Sequence, residues 1–188
     1  LAANVNAPYD SVSELVEYAK MYPGEITIAQ ASMGSVWQVS LSLFLDMTDM
    51  EVNFLPFEGT ANAVTATAKG YTKLVAASVP EVKEQVDAGQ LKILGIMDNK
   101  PSKLYPEVQT FIEQGYDITY STWRGLALPK GVDASRIQVL EEAFKEAMND
   151  KKFIETMNNN EMDISYLNKE DFLNFLEKNY QEVKEQSK

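Results

Sequence analysis

Two stretches of this chain bring small hydroxyls and backbone amides to the point where a strand gives way to a helix, a geometry that suits an anion. The first is Asn53-Phe54-Leu55-Pro56-Phe57-Glu58-Gly59-Thr60-Ala61-Asn62-Ala63. It reads as a short buried strand, a tight turn and the first turn of a helix. Pro56 ends sheet pairing, Gly59 permits a positive φ, and Thr60 is a good N-cap. The second begins with Ile26-Thr27-Ile28-Ala29 as a strand and continues through the loop Gln30-Ala31-Ser32-Met33-Gly34 to Ser35, the cap of the next helix. At each corner, unbonded N–H groups and the positive end of a helix dipole converge. Such an end contributes about 0.3–1 kcal/mol per anionic charge when exposed and up to about 2 kcal/mol when partly buried. Two corners facing one crevice, with direct hydrogen bonds added, suit a small diacid. The upstream loop would use the amides of Gly34 and Ser35 with the hydroxyls of Ser32 and Ser35. A plain helix cap with a flexible entry is the competing reading.

Other side chains have both a functional and a structural reading. Glu58 could act as a general base, but it has no second acid at a diagnostic spacing and also reads as a solvated turn residue. Trp37 is a pocket wall or part of the core. Arg124 can pair with an acidic ligand or with the excess of surface carboxylates. Histidine and cysteine are both absent, which excludes Ser-His-Asp and Cys-His catalysis and any zinc site built on those ligands. The net charge of −11 argues against nucleic acid and anionic membrane surfaces. It bears less on a small carboxylate ligand, because surface charge is screened beyond about 8 Å at physiological salt. No apolar run approaches the length of a membrane span. The first residue is Leu1 rather than methionine, so a processed or trimmed product without its signal segment is expected.

The elements that position these corners can be read from punctuation and periodicity. Residues 1–5 suit a strand entering from elsewhere. Ser11 and Glu14 have capping-box spacing before a helix with Val12, Leu15, Val16 and Ala19 on one face, ended by Pro23-Gly24. The apolar segment 36–45 is expected as a buried helix. An Ala/Thr-rich helix follows over 61–69, then a strand over 73–77. Ser78-Val79-Pro80-Glu81 opens a further helix, and the strand 91–97 comes next. Repeated strand–helix units predict a mostly parallel sheet with helices on both faces. Residues 98–105 read as a loop and 118–128 as extended chain. Helices are expected over 134–149, 150–157 and 169–185. Ile137, Leu140, Phe144 and Met148 line one of them, and Phe172, Phe175, Leu176, Tyr180 and Val183 line another. Those apolar faces need a partner surface.

Taken together, five blocks resemble the solute-binding receptors of tripartite tricarboxylate transporters, the TctC or Bug family. They are Tyr22-Pro23-Gly24-Glu25-Ile26, Ser32-Met33-Gly34-Ser35, Leu55-Pro56-Phe57-Glu58-Gly59-Thr60, Ala88-Gly89-Gln90-Leu91-Lys92-Ile93-Leu94-Gly95-Ile96 and Trp123-Arg124-Gly125-Leu126-Ala127-Leu128-Pro129-Lys130-Gly131. Pro106-Glu107-Val108-Gln109-Thr110 fits a sixth. The resemblance implies an α/β fold of the type II periplasmic-binding-protein class, with ligand gripped between two lobes and no enzymatic activity or cofactor. On that pattern residues 1–7 are the entering hinge strand, 8–117 a complete lobe two, 118–128 the returning hinge segment and 129–188 the helical tail of lobe one, whose first part is absent. The family pattern differs here at four places: it has Gly at Ser32, His at Gln38, Lys at Glu58 and an Asp near Lys73.

The function implied is an extracytoplasmic receptor that captures a small organic acid, a di- or tricarboxylate or an amino acid, for membrane transporter subunits, with no membrane insertion by this chain. The ligand-binding residues expected are Ser32, Met33, Gly34 and Ser35 on one corner and Phe57, Glu58, Gly59, Thr60 and Ala61 on the other. Ser78 joins them at the start of a third helix in the same crevice. An enzyme of similar layout using Glu58, or a ligand-sensing regulatory domain, is the alternative.

Overall fold

In the computed structural model of this chain, residues 1–31, 35–120, 122–159 and 162–186 are described. They fall into two units, Leu1–Thr122 and Trp123–Lys188. The first unit begins with β1 (Ala2–Asn4) and α1 (Val12–Met21). The Ser11 hydroxyl caps α1 by accepting from the Glu14 amide at 3.1 Å. The 3–4 spacing of Val12, Leu15, Val16 and Ala19 buries one face of the helix. Then follow β2 (Ile26–Gln30), α2 (Val36–Thr48), β3 (Val52–Pro56), α3 (Thr60–Ala68), β4 (Leu74–Val75), α4 (Val79–Asp87) and β5 (Leu91–Ile93).

The sheet order is β3-β2-β4-β1-β5. β2 is parallel to β3 and β4, whereas β1 is antiparallel to both β4 and β5. Four strands therefore run one way and β1 alone runs the other. The chain steps from β2 outward to β3, then back over β2 to β4 and on to β5. Right-handed crossovers are strongly preferred, so this reversal of direction sends the helices to opposite faces. One core joins Val12 and Leu15 of α1 and Leu41 and Phe44 of α2 to Ile26 and Ile28 of the sheet. The other joins Ala63 and Val64 of α3 and Val82 of α4 to Ala29 and Val75. Beside β2, the chain thus leaves the sheet toward one face from β2 and toward the other from β3 and β4. That divergence opens a crevice at the carboxyl ends of these strands, where ligands bind in open α/β sheets.

Three expectations are revised. The strand expected to be buried at 53–55 is the sheet edge, with Phe54 and Leu55 36% and 39% exposed. The strand expected over 91–97 pairs only over β5. Beyond it, Ile96 forms an isolated parallel bridge to Thr110, and a Cβ at Gly95 would lie 2.7 Å from Val12 Cγ2. The segment 110–114 reads from its sequence as at most a short helix ended by Gly115, but Thr110 forms the bridge and 111–115 are turns, held by Gln114. Its Oε1 accepts from the Val12 amide at 2.7 Å, and its Nε2 donates to the Leu94 carbonyl at 2.9 Å. Phe111 and Tyr116 in this segment meet Phe44 edge-on, with ring centroids 5.1 and 5.6 Å away.

The second unit holds α5 (Ala134–Met148), α6 (Lys151–Asn159) and α7 (Lys169–Gln186). Its extended start docks on α7 through Trp123, which meets Phe172 and Phe175 edge-on at 5.3 and 5.7 Å. Gly125 sits against the Phe172 ring where any Cβ would clash. Neither α5 nor α6 buries a residue. The apolar faces read from the sequence are present, with Leu140, Phe144 and Tyr180 exposed.

Candidate ligand site at the carboxyl edge of the sheet

The corner after β3 is latched to the end of β2. The Phe57 amide donates to the Gln30 carbonyl at 2.8 Å and the Gly59 amide to the Ala31 carbonyl at 3.1 Å. These bonds extend the parallel β2–β3 pairing past Pro56, which has no N–H to give. Gly59 then turns the chain at φ +79° and serves as N-cap of α3 without any side-chain cap. No acidic residue occupies the first turn of α3. Among the described residues the amides of Thr60, Ala61 and Asn62 have no acceptor, so this helix end presents open N–H groups and an unopposed dipole.

Thr60 is held in place by Trp37. The Trp37 indole N–H donates to Thr60 Oγ1 at 3.3 Å, which leaves the hydroxyl proton available for an acceptor. Trp37 itself stands in the first turn of α2 and packs against both cores. It therefore fixes the beginning of α2 relative to the beginning of α3. The Ser35 hydroxyl caps α2 by accepting from the Gln38 amide at 3.3 Å. Ser32, Met33 and Gly34, the rest of the upstream corner, lie outside the described residues. Asn62 Nδ2 donates to the Glu58 carbonyl at 2.6 Å, while the Glu58 side chain is exposed.

Ser78 begins α4 in a different electrostatic state. Its amide and its hydroxyl both donate to Glu81 Oε2 at 2.7 Å. This capping box supplies the helix end with its own carboxylate. Ser78 lines a pocket of about 180 Å³ that also takes in Trp37, Ser40, Ala76, Asp98 and Tyr120. The Leu1 nitrogen lies in the same wall and donates to the Gly95 carbonyl at 3.0 Å. Gln30 lies next to this wall, because the β2–β4 register of Ile28 with Leu74 and Ala29 with Val75 carries it alongside Ala76. Gln30 is 8% exposed, and its Nε2 has no partner among the described residues.

The structure thus brings Phe57, Gly59, Thr60 and Ala61 to one latched corner, ties Ser35's helix to it through Trp37, and sets Ser78 in the adjoining pocket. Sequence reasoning missed Gln30, taken as loop, and Asp98. The period-2 run Ile26, Ile28, Gln30 was the signal for Gln30 as a strand residue facing the α2 side. A larger cavity of about 390 Å³ in the second unit is lined by Gln138, Glu141, Lys145, Tyr166 and Lys169 among others, and none of the predicted residues reaches it. Among the described residues no group of three Asp or Glu could hold a metal, and no helix is long and apolar enough to cross a membrane.

The open sheet with helices on both faces and a crevice at its carboxyl edge is that of the type II periplasmic-binding-protein class. The Tripartite tricarboxylate transporter family receptor, TctC, matches residues 1–186, and the chain belongs to that family. Protein BugT of Bordetella pertussis (strain Tohama I) is 30% identical over 156 residues, which cover 82% of this chain and 48% of BugT. A TctC solute binding protein from Polaromonas superimposes with a TM-score of 0.84 at 26% identity, covering 98% of this chain and 64% of that one. R. palustris Rpa4515, solved with adipate, has a TM-score of 0.85 at 20% identity, covering 98% and 63%, a likeness of fold. The chain spans about half the length of the curated relatives it matches. The resemblance read from the sequence blocks is thus borne out in both family and fold class.

Proposed function

We propose that this chain carries the lobe-two half of an extracytoplasmic receptor that captures a small organic acid for a tripartite tricarboxylate transporter. The observation that carries this reading is the open amino end of α3, with Thr60 held by Trp37 and the corner latched to β2. A carboxylate there receives the amides of Thr60, Ala61 and Asn62 and the Thr60 hydroxyl. It also meets the positive end of the helix dipole. Ser35, which caps α2, is tied to this corner through Trp37, and Ser32, Met33 and Gly34 are the further ligand-binding residues on this reading. On this reading residues 8–117 form lobe two, 1–7 and 118–128 are the hinge strands, and 129–188 join lobe one. The exposed apolar faces of α5 and α7 then pack against the remainder of lobe one, supplied by chain outside these residues. Closure of the lobes is the signal passed to the membrane subunits. Binding adipate is a property of Rpa4515, and it makes adipate a reasonable first probe here.

Thermal denaturation against a panel of di- and tricarboxylates and amino acids tests the reading. The full-length receptor is expected to gain about 2.7 kcal/mol at a ligand concentration a hundred times Kd, whereas the 188-residue chain responds weakly. No shift with any acid in the panel overturns it.

A further inference from the structure

Gln30 ends β2 at the carboxyl edge of the sheet with a side chain that is 8% exposed and an Nε2 that is buried without a partner among the described residues. Ile26 and Ile28 of the same strand join the core on the α1 and α2 side, and the alternation of side chains along a strand puts Gln30 on that face too. A buried donor without an acceptor forfeits its bonds to water and gains nothing in return. Native structures keep few such groups, and each calls for an explanation.

This orphaned donor stands beside the open end of α3. The Gln30 carbonyl accepts from the Phe57 amide at 2.8 Å, and the Ala31 carbonyl accepts from the amide of Gly59, the N-cap of α3, at 3.1 Å. Gln30 and Ala31 are consecutive, with Cα atoms about 3.8 Å apart. The helix cap is thus one residue and one hydrogen bond from Gln30. Thr60 reaches toward the face on which Gln30 stands, because its Oγ1 takes the indole N–H of Trp37, a residue of α2, at 3.3 Å. Open amides with an unopposed dipole and a neutral donor stripped of water therefore meet at one corner.

We propose that Gln30 is a further ligand-binding residue, its carboxamide N–H donating to the carboxylate that the α3 corner receives. The inference rests on the receptor reading above and adds a side chain to a site otherwise built from backbone amides and the Thr60 hydroxyl. The two oxygens of a carboxylate offer about four lone-pair sites, so one oxygen can accept from α3 and Thr60 and the other from Gln30. The three side-chain torsions of Gln30 let its carboxamide turn toward the acid. Its desolvation is already incurred in the free protein, so the new bond to a charged acceptor counts in full toward affinity.

Calorimetric titration of the full-length protein and of Gln30→Met tests this, with adipate, malate, citrate, aspartate and any panel acid that raises Tm as probes. Methionine keeps the unbranched shape of glutamine without its donor. Each acid that the wild type binds should bind about tenfold more weakly to Gln30→Met, the worth of one hydrogen bond to a charged acceptor. The Tm of the free variant should stay the same or rise, because the orphaned donor is gone. The wild type gives a second readout: the Gln30 carboxamide proton resonances should shift with the bound acid and saturate at the calorimetric Kd. Unchanged affinity in Gln30→Met, or a carboxamide unmoved by a saturating acid, overturns the role of Gln30 and leaves the receptor reading in place. Absence of binding by every acid removes the receptor reading and this inference with it.

Discussion

The close packing around Gly95 makes a definite prediction for stability. A Cβ at this position would lie 2.7 Å from Val12 Cγ2, 2.9 Å from Gln114 Nε2 and 3.1 Å from Phe111 Cδ2. Val12 and Phe111 are fully buried. Gln114 is held by its bonds to the Val12 amide and the Leu94 carbonyl, 2.7 and 2.9 Å long. None of the three neighbours can withdraw without giving up core contacts or a hydrogen bond. Overpacking of this kind costs about 1–3 kcal/mol. Gly95→Ala should therefore lower stability by that amount in urea denaturation, with the slope of the transition unchanged. An unchanged or raised midpoint would refute the close approach of α1 and the 110–116 segment to Gly95.

Two further substitutions have definite signs. Tyr9→Phe is expected to raise stability by about 1 kcal/mol in urea denaturation, because the Tyr9 hydroxyl is buried without a partner among the described residues and its removal ends an uncompensated desolvation. Trp37→Phe keeps most of the apolar contact but removes the bond to Thr60. It should weaken acid binding severalfold while lowering Tm only slightly, and an unchanged affinity would deny Trp37 its positioning role.

Much of the first unit was legible because its signals are local. Ser11, Ser35 and Ser78 each mark a helix start, Gly24 and Gly89 each follow a helix end, and the apolar runs at Ile26 and Leu91 are strands. The corner residues Gly59 and Thr60 stand out for the same reason, although the cap is Gly59 rather than Thr60. Non-local features were not legible. The three residues Ala2–Asn4 of β1 carry no mark of direction, and only the pairing with β4 and β5 makes them the antiparallel strand. Phe54 and Leu55 are apolar as buried strands are, yet the order of strands, which depends on where α3 crosses, leaves β3 at the edge. Residues 118–128 have strand-like composition but pair with no strand among the described residues. Asp98 looks like any loop acid until the pocket around it is seen.

The central claim is that the amino end of α3 receives the ligand's carboxylate, and amide chemical shifts of the full-length protein test it most directly. Titrated with a bound acid from the panel, the Thr60, Ala61 and Asn62 amides should move together and saturate at the calorimetric Kd, while amides of α5 and α6 that lie outside any crevice should stay fixed. Saturable binding that leaves those three amides unmoved would contradict the account.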